Sequence, residues 1–116
     1  MGRIKGYGFG HVTVDGAEHT KDVIVLPDRV VGNWRRREGH SLVVDDLGEV
    51  LEELPERLVV GCGADGRLHP DPSVAEALAR RGVEVEALPT ADAVRRYSEL
   101  EAQNPAAVAA ALHLTC

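Results

Sequence analysis

Arg57-Leu-Val-Val-Gly-Cys-Gly-Ala-Asp-Gly-Arg-Leu-His-Pro-Asp-Pro-Ser-Val-Ala-Glu-Ala-Leu78 reads as a short buried strand, a glycine-rich turn and the opening of a helix. A turn at the carboxyl end of a strand is where α/β proteins place ligands. The helix is expected to start at Asp71-Pro72, an N-cap followed by proline at the first helical position. Arg80-Arg81-Gly82 supplies its end, with cations in the last turn and glycine just beyond. Val83, Val85 and Ala87 then alternate with Glu84 and Glu86, the pattern of an edge strand with one solvated face. Thr90 is expected to cap a further helix that turns Val94, Tyr97 and Leu100 inward, with Arg95 and Glu99 paired at i, i+4. The segment from Ala106 to Cys116 has alanine-rich helix propensity. Read with period two, it puts Val108, Ala110, Leu112 and Leu114 on one face, which favours a strand. The order β-α-β-α-β from Arg57 onward predicts right-handed crossovers and a partly parallel sheet.

Upstream of this unit, Ile4 to Val14 reads as one strand with glycine at every second position, as if a neighbour packed closely there. Asp15-Gly16 then signals a hairpin turn. Val23-Ile-Val-Leu26 is a continuous apolar run, suited to a strand covered on both faces. Pro27-Asp28 favours a type I turn, after which Val30 and Val31 resume a strand that ends near Trp34. Leu47, Val50, Leu51 and Leu54 follow a helical stripe, with Asp46 and Glu49 resembling a capping box and Pro55 as the stop.

The chain has 116 residues, a length that suits one domain, residues 1–116. Hydrophobic residues make up 44% and aromatics 3%, so a globular core must be built from Val, Leu, Ile and Ala. Nineteen acidic residues and a formal charge of −6 argue against a nucleic-acid partner. The apolar runs are too short to span a membrane, and the start of the chain lacks the apolar core of a signal peptide. The expected location is the cytoplasm, with Cys62 and Cys116 reduced. The edge strand Val83–Ala87 is a place where two chains could meet as a homodimer.

Candidate chemistry is sparse. Gly61, Gly63 and Gly66 match G-x-G-x-x-G only formally, because the helix starts too late to hold a pyrophosphate against the turn. Cys62 could act as a nucleophile with His40 or His113 as base, but a cysteine at a buried strand end is more often inert. His11, His19, His40, His69 and His113 are scattered without metal-ligand spacing, so neither a metal nor a cofactor is expected. Arg35-Arg36-Arg37 beside Trp34 offers a patch for an anion or a partner, against the blander reading of a solvated loop paired with surface acids.

Gly8-Phe9-Gly10, Asp22 to Pro27, Val30 to Trp34, His40, Val60-Gly-Cys-Gly63, Gly82 to Val85, Thr90 and the Ala-Leu-His-Leu-Thr-Cys segment occur here in an ordered set. In that order they resemble the domain family of unknown function found in the adipogenesis-associated Mth-domain-containing protein and in a mitochondrial complex I assembly factor. The resemblance covers nearly the whole chain. It implies a three-layer α/β fold with a mixed sheet and an additional small N-terminal β element, and a role in assisting the assembly of other proteins rather than an enzymatic activity. Asp22, Trp34, Gly61, Gly63 and Thr90 would be the hallmark positions. Cys62 and Ser98 depart from the residues expected there, threonine or a similar small residue and asparagine. Two functional readings follow. One is a non-enzymatic binding or assembly-accessory protein. The other is a small-molecule binder or small enzyme whose pocket lies around Gly61–Gly63, with Asp22, Trp34, His40, Cys62 and Thr90 as further lining.

Overall fold

The computed structural model describes residues 2–116. Its centre is a five-stranded sheet built from β4 (Val23–Val25), β5 (Val30–Val31), β7 (Arg57–Cys62), β9 (Glu84–Leu88) and β10 (Val108–His113), in the order β5-β4-β10-β7-β9. β10 runs parallel to β7, and β7 parallel to β9, while β4 lies antiparallel to both β10 and β5. The sheet is therefore mixed, as expected. All six residues of β10 are buried. A strand with both faces covered needs apolar side chains on both, which is why the alanine-rich segment takes this central position despite its helix propensity.

α1 (Pro72–Ala79) connects β7 to β9, and α2 (Thr90–Gln103) connects β9 back past β7 to β10. The two crossovers run in opposite directions across the sheet. Right-handed connections then place the helices on opposite faces. One face packs Leu58, Val60, Ala109 and Ala111 against Val74 and Leu78 of α1, together with Trp34, Leu42, Leu47 and Val50. The other packs Val59, Val108, Ala110 and Leu112 against Ala93, Tyr97 and Leu100 of α2. Ile4, Val12 and Val14 join this second face from an N-terminal three-stranded sheet of β1 (Ile4–Gly8), β2 (His11–Val14) and β3 (Ala17–His19). Arg3 anchors that sheet through Asp15, at 2.9 Å, and the Leu26 carbonyl, at 2.6 Å.

Several expectations change. Ile4 to Val14 is two strands rather than one. The chain turns at Phe9-Gly10, where the Gly10 N–H donates to the Leu114 carbonyl at 2.8 Å, a contact across the whole sequence. The strand after Pro27-Asp28 ends at Val31, short of Trp34. The helix expected from Asp46 is replaced by two 3-10 turns, Val44–Leu47 and Leu51–Glu53. Bonds to the third residue back recur from Asp46 to Glu53, and burial follows the same three-residue step through Leu47 and Val50. Asp46 does not open the segment but reaches back from inside it, accepting the Val43 N–H at 2.9 Å and the Arg37 N–H at 3.1 Å. A short parallel pair, β6 (Ser41–Leu42) with β8 (His69–Pro70), closes the loops over the first face.

α1 forms as expected, with the Asp71 side chain accepting the Ser73 N–H at 2.9 Å. α2 differs in detail. Pro89 is its N-cap and Thr90 its first helical residue, so the threonine hydroxyl is free for other work. Arg95 pairs with Asp92, and Arg96 with Glu86 and Glu99, in place of the expected Arg95–Glu99 pair. β9 is an edge strand, and its Glu86 draws Arg96 across from the helix.

Gly61 sits where α2 meets β7. A Cβ there would lie 2.9 Å from Thr90 Oγ1 and 3.0 Å from Leu112 Cδ2. Gly61→Ala is expected to lower stability by about 1–3 kcal/mol, the cost of forcing a methyl into a filled core. Urea unfolding followed by circular dichroism checks it, with a lower midpoint and an unchanged slope as the expected result.

Candidate functional site

The polar centre of the molecule lies at the carboxyl ends of β7 and β10, on the α1 side of the sheet. Asp22, just before β4, places its carboxylate among three donors. Oδ1 accepts the Leu114 N–H at 2.8 Å. Oδ2 lies 2.8 Å from His113 Nδ1 and 2.9 Å from Arg36 Nη2. The Asp22 carbonyl also accepts the Trp34 N–H at 2.8 Å. One residue thereby joins a strand start, the end of β10 and the loop that carries Trp34 and Arg36.

Arg36 Nη2 donates to the Gly39 carbonyl at 3.0 Å and lies 3.1 Å from His113 Nδ1 and 2.9 Å from Asp22 Oδ2, so cation, ring and carboxylate meet at one point. The Arg36 side chain is 4% exposed and that of His113 8%. The guanidinium carbon lies 4.7 Å over the Trp34 ring, and the Trp34 Nε1–H donates to the Asp46 carbonyl at 2.9 Å. Three buried nitrogens have no partner among the described residues: Arg36 Nε, Arg36 Nη1 and His113 Nε2.

Burial of the Asp22 carboxyl works to raise its pKa. The hydrogen bonds from His113, the Leu114 N–H and Arg36 outweigh that and hold it below the usual carboxylate range. Its folded value is thus lower than its unfolded one. The ionised carboxylate contributes stability above about pH 4, and that contribution disappears as the pH falls through the folded value.

Thr90 works beside this cluster without joining it. Its Oγ1 accepts the Gly63 N–H at 2.7 Å and donates to the His113 carbonyl at 2.6 Å, tying the ends of two neighbouring strands to the start of α2. Gly63, with φ of 98°, has no room for a side chain. A Cβ would fall 2.6 Å from the Cys116 carbonyl carbon and 2.9 Å from His113 Cδ2. The segment Thr115–Cys116 lies against this turn, its carbonyls accepting the N–H groups of Ala64, at 2.7 Å, and Arg67, at 3.2 Å.

The structure therefore groups only some of the residues expected at one pocket. Asp22 and Trp34 meet at the cluster. His40 lies at its margin, its ring centre 6.0 Å from that of His113 and its Nε2 3.8 Å from Cys116 Sγ. Gly61 faces α2 on the opposite side of the sheet, and Gly63 and Thr90 are packed against the end of β10. Cys62 is buried in the core beside Trp34 and Leu68, with its Sγ 3.9 Å from the Val60 carbonyl. Burial pushes its thiol pKa up, only partly offset by the Leu88 backbone. That is the opposite of what a nucleophile needs. Arg35 and Arg37 are exposed, but Arg36 belongs to neither reading of the arginine run. It is an interior residue paired with Asp22. The sequence offers His113 only as a base for Cys62. The signal for its actual role is an imidazole on the face that Ala109 and Ala111 bury.

Two hollows flank Trp34. One, of about 520 Å³, is lined by Asn33, Trp34, Arg37, Asp45, Asp46 and Glu49 among others. The second, of about 320 Å³, is lined by Lys21, Asp22, Asn33, Trp34, Arg35 and His113 together with two threonines.

A mixed five-stranded sheet between two helices, with a small β element at one end and this cluster at the strand ends, defines an α/β protein of the Mth938-like fold. The model of the family described as protein of unknown function (DUF498/DUF598) matches residues 4–113, and the chain belongs to that family. It is similar to a Bartonella henselae protein described as an outer membrane protein, with 26% identity, a TM-score of 0.82 and coverage of 99% of this chain and 96% of that one. It is similar to MT938 over the full length of both chains, with 29% identity and a TM-score of 0.75. A Bordetella pertussis protein described as a Mth938-like domain shares the fold at 24% identity and a TM-score of 0.78, covering 97% of this chain and 85% of that one. Among the described residues, no helix is long and apolar enough to cross a membrane.

Three outcomes test the site. Asp22→Asn leaves the Arg36 guanidinium without its counter-charge and is expected to cost about 3 kcal/mol at neutral pH. The same variant should lose the part of the acid-induced destabilisation that sets in below about pH 4, measured as unfolding free energy against pH. Iodoacetamide at pH 8 is expected to label Cys116 in the native protein and Cys62 only in denaturant, read by peptide mass spectrometry.

Proposed function

We propose that this chain is a non-enzymatic binding protein, accessory to the assembly of other proteins, and that it works in the cytoplasm through the surface around Trp34. The observation that carries the reading is the closed Asp22–Arg36–His113 circuit. Both Asp22 oxygens are occupied, and His113 Nδ1 is held between the carboxylate and the Arg36 guanidinium. The group that most resembles a catalytic dyad therefore serves to hold the Trp34 loop against the sheet. The Cys62 thiol, the one candidate nucleophile in the sequence, is buried with a raised pKa. The family resemblance to an assembly factor supports the same reading.

Around Trp34, the larger hollow exposes both signs of charge. Arg37 and Asp45 lie 3.9 Å apart at its rim, with side chains 78% and 81% exposed. Such a pair contributes little to folding and is available to charges on a partner. The alternative, a small-molecule pocket at Gly61–Gly63, has less in its favour. The space next to those glycines is taken by Thr90, Leu112 and Cys116.

Arg37→Glu is expected to leave the melting temperature nearly unchanged while reducing several-fold the partner recovered from a cognate lysate on immobilised protein. Wild-type protein that recovers nothing above background would refute the reading.

A further inference from the structure

Thirteen side chains of this protein are Lys or Arg. Ten of them, Arg3, Arg29, Arg36, Arg37, Arg57, Arg67, Arg80, Arg81, Arg95 and Arg96, lie in ion pairs with carboxylates. Three have no such pair among the described residues: Lys5, Lys21 and Arg35. Partners are not scarce, because the chain carries 19 acidic residues. Yet two of the three unpaired cations line one and the same hollow, the smaller one beside Trp34.

The rest of that hollow fits the same chemistry. The Asp22 carboxylate reaches it, but its charge is balanced by Arg36, and its two oxygens are already occupied by the Leu114 N–H, His113 and Arg36. Lys21 and Arg35 are left to set the sign of the field. His113 also lines the hollow. Its side chain is more than nine-tenths buried, and Nε2 has no partner among the described residues. Asn33, Thr20 and Thr115 add neutral donors.

We propose that this hollow binds a phosphate-class oxyanion, either inorganic phosphate or the phosphate of a small monoester. A tetrahedral oxyanion offers several acceptors at once to the guanidinium fork of Arg35, the ammonium of Lys21 and the amide and hydroxyl donors. The volume of about 320 Å³ accommodates phosphate with a short substituent and lies at the small end of ligand pockets. The site rests on the binding reading above only in sharing the Trp34 surface.

Titration of the purified protein with inorganic phosphate, glycerol phosphate and acetate at matched ionic strength tests it, by calorimetry and by thermal shift. This uses no partner, so a failure here is separate from a failure of lysate capture. Saturable binding of the two phosphates, with a raised melting temperature and no matching response to acetate, is expected. Lys21→Ala and Arg35→Ala should each weaken phosphate binding about tenfold, the worth of one charge-assisted hydrogen bond, with unchanged unfolding midpoints. Arg80→Ala removes an equal charge far from the hollow and should leave the affinity unchanged. Absence of saturable phosphate binding, equal binding of acetate, or equal weakening by Arg80→Ala overturns the proposal.

Discussion

The carboxylate of Asp22 is the constraint on which the site depends. It stands before the first strand of the central sheet, yet its three donors come from the end of β10 and from the loop after β5. Removing it would strand Arg36 in the interior beside Trp34, where the guanidinium has no other counter-ion among the described residues. A buried ion pair of this kind seldom adds much to stability compared with apolar packing. What it supplies is placement. The backbone N–H of Trp34 donates to the Asp22 carbonyl and the indole N–H to Asp46, so the loop is held at both ends of the tryptophan.

A second constraint, close packing, acts on the opposite face of the sheet. Gly61 leaves room for Thr90 and Leu112, and Gly63 leaves room for the Cys116 backbone. Thr90 uses that proximity to bridge Gly63 and the His113 carbonyl. The glycines of this turn are thus explained by what packs on them. They look from the sequence like a ligand loop, and in the folded protein they are a joint between α2, β7 and β10. The proposed binding surface lies instead on the Trp34 side, where the walls are side chains and the space beside them is open.

Local patterns carried most of the architecture. Asp71-Pro72 and Arg80-Arg81-Gly82 mark α1 because capping and termination are short-range effects. Val23 to Leu26 and Leu58 to Val60 mark buried strands because a continuous apolar run needs cover on both sides. The misreadings arise where a side-chain or long-range contact overrides the local pattern. Gly10 turns the first strand because its N–H meets Leu114, and the segment from Val44 to Glu53 tightens to 3-10 geometry as Asp46 reaches back to Val43 and Arg37. Thr90 resembles a cap by position, but its hydroxyl is claimed by two strands.

By itself, the sequence determined which segments are apolar, where the chain turns, and hence the order of strands and helices, because those properties depend on neighbours a few residues apart. It also named Asp22 and Trp34, through their place in an ordered family pattern. Only the tertiary structure decided that Arg36 is an interior residue, that His113 completes its pairing, and that Lys21 and Arg35 are left without carboxylates beside one hollow. Ion pairing and burial depend on distances between residues as far apart as 22 and 113, and no local pattern in the chain records them.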